Sequence, residues 1–332
     1  MRSLPPSSQS GTRLLNDAGE RSRFRSHLLR WYDQYRRDLP WRANRDPYRV
    51  WVSEIMLQQT RVAAVLEYFR RFMQEFPEVH QLAEASEERV LTLWSGLGYY
   101  RRARMMHAAA KEVMNVHGGE FPRTLVGLRT LPGIGRYTAA AIASIAFGER
   151  TAVVDGNVER VLNRLHGLLL DGESVWERAE ELLDPQRPGD WNQAMMELGA
   201  TVCTPKQPSC MTCPVHVFCA TRGELAQVRK PVRIKRSLHY VLDHTPLGVV
   251  LVQRPASVSL MPGMWELPQA PDAAGEILWR LRHSITTTDY VVLVSRGSAP
   301  EGLQVSRTQV HGLGELPLTG LARKILKRAN II

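Results

Sequence analysis

The chain has 332 residues, room for about two globular domains at roughly 100 to 200 residues each. Apolar residues make up 44% and charged residues 23%, which excludes a fibrous, low-complexity or wholly disordered chain, and no window holds the roughly 18 apolar residues of a membrane span. Lysine and arginine number 43 against 33 aspartates and glutamates, so the formal charge is +10, which favours a polyanionic partner, nucleic acid ahead of an anionic membrane surface.

Residues 1–22 are polar and rich in Ser, Pro and Arg and read as a flexible tail, a composition that a mitochondrial transit peptide would share. From Phe24 to about Leu183 apolar residues recur at three- and four-residue spacing, which predicts helices over 25–36, 86–94, 101–117, 136–147, 157–169 and 174–183. The clearest stripe is Val52, Ile55, Gln59, Val62, Leu66, Phe69, Met73 and Phe76, which predicts one buried helical face. Gln59 interrupts it, and a buried amide needs a hydrogen-bond partner. Glu54 lies off the stripe on a face with Gln58, the pattern of a solvated first-turn glutamate.

Leu131-Pro132-Gly133-Ile134-Gly135-Arg136-Tyr137-Thr138-Ala139 joins two helical segments. Two glycines two apart permit a tight turn, and the helix after them opens with N–H groups suited to a phosphate oxygen, a helix-hairpin-helix signature for DNA backbone binding, although Gly-x-Gly alone is also the mark of an ordinary helix connection. Twenty positions beyond Gly135, Val153-Val154-Asp155-Gly156-Asn157-Val158 brings a short apolar run to a new helix, where Asp155 also suits a plain dipole-stabilised cap.

All four cysteines lie between Cys203 and Cys219, with gaps of six, two and five residues through Cys210 and Cys213. A disulfide framework staples distant segments, so this crowding predicts a reducing compartment and a metal site. Four thiolates suit a [4Fe–4S] cluster or a Cys₄ zinc site equally by spacing alone. A basic linker is expected over 223–237. Beyond it the periodicity changes, predicting strands over 240–243, 249–253 and 290–295 and helices near 273–282 and 318–329, hence a small α+β domain over 238–332.

Taken together, the hairpin, the Val-Asp-Gly-Asn-Val segment and the cysteine spacing resemble the helix-hairpin-helix DNA glycosylase superfamily with an iron–sulfur loop, the group that includes endonuclease III. Within it the chain resembles the adenine DNA glycosylase (MutY) family. Leu39-Pro40-Trp41-Arg42, the segment from Ser53 to Thr60, that from Leu93 to Arg104, and that from Asn192 to Ala200 carry this likeness, which is strong over about residues 24 to 222. The resemblance implies a mainly α fold: a helical glycosylase domain over 23–222 whose 203–219 loop holds a [4Fe–4S] cluster through Cys203, Cys210, Cys213 and Cys219, and a reduced Nudix-like domain after it.

It also implies a reaction, the removal of adenine mispaired with 8-oxoguanine or guanine from double-stranded DNA by a flipped-base mechanism. Glu54 would protonate adenine at N7 and later help to activate water, which needs a carboxyl whose pKa is raised by burial. Asp155 would face the developing oxocarbenium ion, with Asn157 and Tyr137 beside the sugar. Tyr137 stands where lyase members carry a Schiff-base lysine, so little strand cleavage is expected. Trp41, Arg42, Leu57, Gln58 and Gln193 match the base pocket, Gln59 and Tyr99 the residues inserted at the opposite base. Gly133 and Gly135 match backbone contacts, and Arg101, Arg102 and Arg104 form a basic cluster adjoining the wedge that suits phosphate contacts or a solvated helix face.

Gln253-Arg254-Pro255, Gly263 to Pro268 and Leu316 to Leu321 also match, but the lesion-reading loop departs from the family's Phe-Ser-His pattern: Arg282-His283-Ser284 is followed by Ile285-Thr286-Thr287, with Ser284 or the threonines left as candidate lesion contacts. Diphosphate hydrolysis is not expected, since clustered Nudix glutamates are missing from the sequence. The expected setting is a monomer in the bacterial cytoplasm at the nucleoid, or an organelle or nucleus in a eukaryote, without membrane attachment. Two other readings stay open, a thymine glycosylase for T·G mismatches and a non-catalytic mismatch-binding module.

Overall fold

The computed structural model describes residues 15–332 apart from 16, 226–233, 259, 272–275 and 286–287. Eleven helices come first among them: α1 (Ala18–Tyr35), α2 (Pro47–Leu57), α3 (Val62–Glu75), α4 (Val79–Glu84), α5 (Glu87–Trp94), α6 (Arg101–His117), α7 (Leu125–Leu128), α8 (Arg136–Phe147), α9 (Gly156–His166), α10 (Gly172–Leu182) and α11 (Pro188–Thr201). Strands β1 (Ile234–Leu242), β2 (His244–Thr245), β3 (Gly248–Gln253), β4 (Trp265–Glu266), β5 (Ile277–Ile285), β6 (Thr288–Arg296) and β7 (Val305–Thr308) follow, and α12 (Gly320–Arg328) closes the chain. The expected architecture, mainly helical with a small α+β part at the end, is the one observed.

Two compact units are present. One takes the described residues within Met1–Gln58 and Asn115–Val228, the other those within Gln59–Met114 and Arg229–Ile332. The helical region is therefore shared between both units rather than confined to one.

In the first unit α1 begins at Ala18, inside the segment expected to be a tail. Asp17 starts it by accepting hydrogen bonds from the amides of Gly19 (3.0 Å) and Glu20 (3.1 Å), which satisfies two otherwise free N–H groups of the first turn. Phe24 on α1 meets the rings of Trp191 on α11 and Phe218 of the cysteine loop edge-on, each at 5.6 Å. Leu28, Leu162, Leu165 and Leu198 extend that core. Helix α11 was missed in the periodicity because it buries residues on more than one side, Trp191, Asn192, Ala194, Met195, Glu197, Leu198 and Gly199 among them.

The apolar stripe from Val52 to Phe76 is not one helix. It divides into α2 and α3 because Gln59 adopts a left-handed backbone (φ +58°), which ends α2. Gln59 is exposed, and so is Leu66, while α3 buries the expected Phe69 and Met73 together with Val65 and Phe72. Beyond the break the expected face therefore holds at Phe69, Met73 and Phe76 and fails at Leu66, whose place Val65 takes.

In the second unit β1 pairs in parallel with β6, and β5 pairs antiparallel with β6 on its other side. In a second sheet β3 pairs with β7 along one edge and, along the other, with β2 at its start and β4 at its end. Residues 277–285 form a strand where a helix was expected near 273–282. The signal was the alternation of Trp279, Leu281 and His283 with the exposed Arg280, Arg282 and Ser284, a period of two. Val249, Leu251, Val292, Val294, Leu318 and Ile325 are central to this unit's core. The strand start at Ile234 shortens the expected 223–237 linker; residues 226–233 of it lie outside the described residues. No described helix is long and apolar enough to cross a membrane.

Candidate functional site

The first unit gathers Glu54, Tyr137, Asp155 and Asn157 from three helices. Glu54 sits in α2 near its C-terminal end and is only 6% exposed, the reverse of a solvated first-turn glutamate. Burial raises its pKa from 4.5 to about 7, partly offset by the hydrogen bond it accepts from Tyr137, while Asp155 adds a further upward push and Arg42 a downward one. The Tyr137 hydroxyl donates to Glu54 Oε2 at 2.6 Å and stands 3.4 Å from Met196 Sδ. Burial, then Glu54 and Asp155, hold that phenol well above its ordinary pKa, so it acts as a donor.

Tyr137 reaches Glu54 because the hairpin aims it. Gly133 takes φ +74°, a conformation suited to glycine, and Gly135 begins α8 without a side-chain cap. Both glycines are exposed. Thr138, the next residue after Tyr137, accepts from Gln58 Nε2 at 3.3 Å and so ties the end of α2 to α8.

Asp155 caps α9. Its Oδ1 accepts from the amides of Asn157 (2.9 Å) and Val158 (2.8 Å), and its Oδ2 from Asn157 Nδ2 (2.8 Å). Capping and site geometry are thus the same arrangement. Asn192, buried on α11, fixes the approach to it: Oδ1 accepts from Val153 N (3.1 Å), and Nδ2 donates to Ser144 Oγ and to the Thr151 carbonyl (2.9 Å each). Gly199 permits close packing of α11 on α9, since a Cβ there would lie 2.6 Å from Asn157 Cβ.

Arg160 and Arg164, one turn apart on α9, were not singled out in the sequence, although a pair of arginines at that spacing behind a candidate acid was visible. Arg160 Nη2 donates to Asn157 Oδ1 (2.9 Å) and the Gly199 carbonyl (2.7 Å), and its Nε to the Cys203 carbonyl (2.8 Å). A continuous chain of bonds therefore runs from Asp155 through Asn157 and Arg160 to the first cysteine. Arg164, 5% exposed, donates to Cys203 Sγ (3.3 Å), the Thr204 carbonyl (2.7 Å) and the Pro205 carbonyl (3.0 Å). Its own carbonyl accepts from Thr221 Oγ1 at 2.8 Å, so one arginine clasps both ends of the cysteine loop.

Cys203, Cys210, Cys213 and Cys219 line a single pocket, together with Arg164 and Arg222 and no acidic residue. Burial and the neighbouring thiols push Cys213 up to about 11. Among the described residues no three His, Cys, Asp or Glu side chains are arranged to hold one metal ion. The donor set itself, four sulfurs around a cavity flanked by cations, fits a thiolate-held group.

Of the other expected pocket residues, Trp41 is buried and Leu57, Gln58 and Gln193 are partly buried. Arg42 is held by Glu197, a third residue not singled out. Glu197 is 1% exposed and receives Arg42 Nη2 (2.9 Å) on Oε2, and Arg37 Nε (2.6 Å) and Nη2 (2.9 Å) on its two oxygens. Those arginines hold its pKa below the usual value despite burial. Arg42 also lies over the Tyr32 ring at 5.7 Å.

In the second unit Gln59 and Tyr99 are both exposed and both left-handed, at φ +58° and +50°. Arg101 is exposed. Arg102 lies over the rings of Trp94 (5.4 Å) and Tyr99 (5.5 Å), and burial lowers its pKa to about 10. Arg104 is engaged by Glu87 (2.8 Å) and the Pro262 carbonyl (2.6 Å). Ser284 donates to Asp289 Oδ1 at 2.6 Å across the β5–β6 pair, and Thr286 and Thr287 lie outside the described residues.

Residues 52–185 match the HhH-GPD superfamily of base excision DNA repair proteins. An adenine DNA glycosylase of Mus musculus is 43% identical over 330 residues, spanning 80% of this chain and 64% of the relative. The adenine DNA glycosylase of Homo sapiens is 42% identical, spanning 82% and 62%. The chain thus spans less than two thirds of the length of these curated relatives. The solved structure of a thermostable thymine-DNA glycosylase superposes with a TM-score of 0.58 at 32% identity, over 62% of this chain and 99% of that one.

Proposed function

Because the chain belongs to the HhH-GPD superfamily of base excision DNA repair proteins, we propose that it is a monofunctional DNA glycosylase that removes adenine mispaired with 8-oxoguanine or guanine. One observation carries the reading. A buried glutamate whose pKa is raised to about 7 lies beside a phenol donor, in the field of a second carboxylate that caps the next helix.

Cleavage of an N-glycosidic bond needs a proton on the leaving base and an anion near the sugar as positive charge develops there. With its pKa near 7, Glu54 keeps that proton on a large fraction of the molecules at neutral pH and gives it to adenine N7. Three N–H donors hold the Asp155 carboxylate in one place, so it meets the cationic sugar without reorganising. Tyr137 keeps Glu54 oriented, and as a phenol it forms no Schiff base, so strand cleavage is weak.

Cys203, Cys210, Cys213 and Cys219 would hold a [4Fe–4S] cluster, which when bound ties the loop together through iron–thiolate bonds. Arg164 and Arg222 flank it and offset its charge. The hairpin glycines accept a DNA phosphate at the start of α8, and Gln59 and Tyr99 enter the duplex at the opposite base. The protein acts as a monomer on double-stranded DNA in a reducing compartment.

Duplexes carrying A·8-oxoguanine or A·G pairs, incubated with the protein and then treated with alkali, should break only at the adenine. No product from any adenine mispair removes the proposal. The likeness to a thymine-DNA glycosylase makes a T·G duplex the necessary companion substrate: thymine release with adenine untouched would replace adenine by thymine in this reading. Brown protein with broad absorbance at roughly 400 nm supports the cluster, and a colourless zinc-containing protein refutes it. The adenine rates opposite 8-oxoguanine and guanine measure what the altered loop at Ile285-Thr286-Thr287 still reads.

A further inference from the structure

Tyr99 is an exposed aromatic residue in a backbone conformation that side chains seldom adopt, φ +50°, between Gly98 at φ +74° and Tyr100. Such a residue keeps its conformation only if the surroundings over-determine it. The loop from Ser95 to Tyr100 is held at several points. Trp94 Nε1 donates to the Gly98 carbonyl at 3.0 Å, Tyr68 donates to the Ser95 carbonyl at 3.1 Å, and Arg102 lies over the Tyr99 ring. Gly96, at φ +108°, has no room for a Cβ, which would collide with the Tyr68 hydroxyl.

The remaining anchor comes from more than 200 residues away in the sequence, within the same unit. Ser95 Oγ and the Tyr100 hydroxyl both donate to one atom, the carbonyl oxygen of Leu318, at 2.8 and 2.9 Å. Arg323 Nε donates to Ser95 Oγ at 3.2 Å, and Gly96 N donates to the Tyr100 hydroxyl at 3.4 Å, so each hydroxyl is satisfied on both sides. Leu318 is itself anchored: its side chain is wholly buried, it bridges to Trp265, and the next residue, Thr319, caps α12. These hydroxyl bonds are buried, where an unmet partner is costly.

We infer that the Leu318 carbonyl is a two-point brace for the Ser95–Tyr100 loop, and that Ser95, Tyr100 and Arg323 are positioning residues that set the presentation of Tyr99. The role of Tyr99 rests on the reading above that it enters the duplex. The brace makes the C-terminal α+β elements a part of the probe: their removal loosens the loop without removing any residue that touches DNA there.

Tyr100→Phe deletes one hydroxyl, and Arg323→Ala the charge behind Ser95, both in the full chain. Amide hydrogen exchange of the DNA-free protein over residues 95–100 should accelerate roughly three- to tenfold in each, with α3 unchanged. Binding to a duplex with a central A·8-oxoguanine pair should weaken by a similar factor in the otherwise native chain, and by nothing in a Tyr99→Ala background. Unchanged exchange in both variants overturns the brace. Equal losses in both backgrounds overturn the statement that it acts through Tyr99. If Tyr99→Ala itself binds as the native chain does, the insertion reading fails, and the exchange result alone still decides the brace.

Discussion

Replacing Glu54 by glutamine exposes what the site costs the fold. The glutamate carboxyl has a pKa of about 7 in the folded chain against 4.5 for the unfolded reference, so folding disfavours its anion. The sign follows from that direction: below pH 4.5 both states are protonated and the cost is absent, and it grows with pH until the folded carboxyl also ionises. At 1.36 kcal/mol per unit the penalty is about 1 kcal/mol at pH 5 and about 3 kcal/mol at pH 8. Glutamine has nearly the same shape, can still accept the Tyr137 hydroxyl, and carries no charge. Urea or thermal denaturation of the two proteins should therefore show Glu54→Gln stabilising the first unit by roughly 2 kcal/mol more at pH 8 than at pH 5. Adenine release should fall by orders of magnitude at both. A stability difference that is the same at the two pH values refutes the buried, proton-holding carboxyl, whatever happens to activity.

Tyr137→Phe removes the bond that holds Glu54 down against burial, so the alkaline limb of single-turnover adenine release should move up by about one to two pH units; an unmoved limb separates Tyr137 from the acid. Arg160→Ala cuts the links from Asn157 to the Gly199 and Cys203 carbonyls, and the rate should drop roughly tenfold or more with duplex affinity retained, as gel-shift titration would show; full turnover would make that chain of bonds irrelevant to Asp155. Gly199→Ala forces a methyl group to 2.6 Å from Asn157 Cβ and 3.0 Å from its carbonyl oxygen. It should cost about 1–3 kcal/mol of stability and displace the Asp155 cap, which denaturation and turnover measured on the same preparation will show.

Much of the candidate site is legible in the sequence because those residues are close along the chain. The hairpin glycines, the Asp155 cap with Gly156 and Asn157 after it, and four cysteines within 17 residues each declare themselves over a few positions. The helix over 101–117 was also legible because it buries mainly one face, and that over 136–147, though buried on several sides from Thr138 to Ile145, because Gly135 and Gly148 mark its two ends. Helix α11 was not, because a helix buried on several sides has no stripe. The α2–α3 break and the strand at 277–285 were missed for related reasons: a single left-handed residue resets helical phase without changing composition, and Trp279, Leu281 and His283 alternate too briefly to stand out from a helical run.

Glu54 marks the division most clearly. Its identity and its place beside a Leu-Gln-Gln segment lie in the chain order, but a glutamate off an apolar stripe reads as solvated. Burial against α8, the Tyr137 hydroxyl and the nearby Asp155 exist only after residues 83 and 101 positions apart are packed together, and those contacts carry its pKa to about 7. Arg160, Arg164, Glu197 and the Leu318 carbonyl belong to the same class. Composition, caps and ligand spacing act between near neighbours and are written along the chain, whereas desolvation and long-range hydrogen bonds depend on which surfaces meet, so the three-dimensional packing alone assigns them.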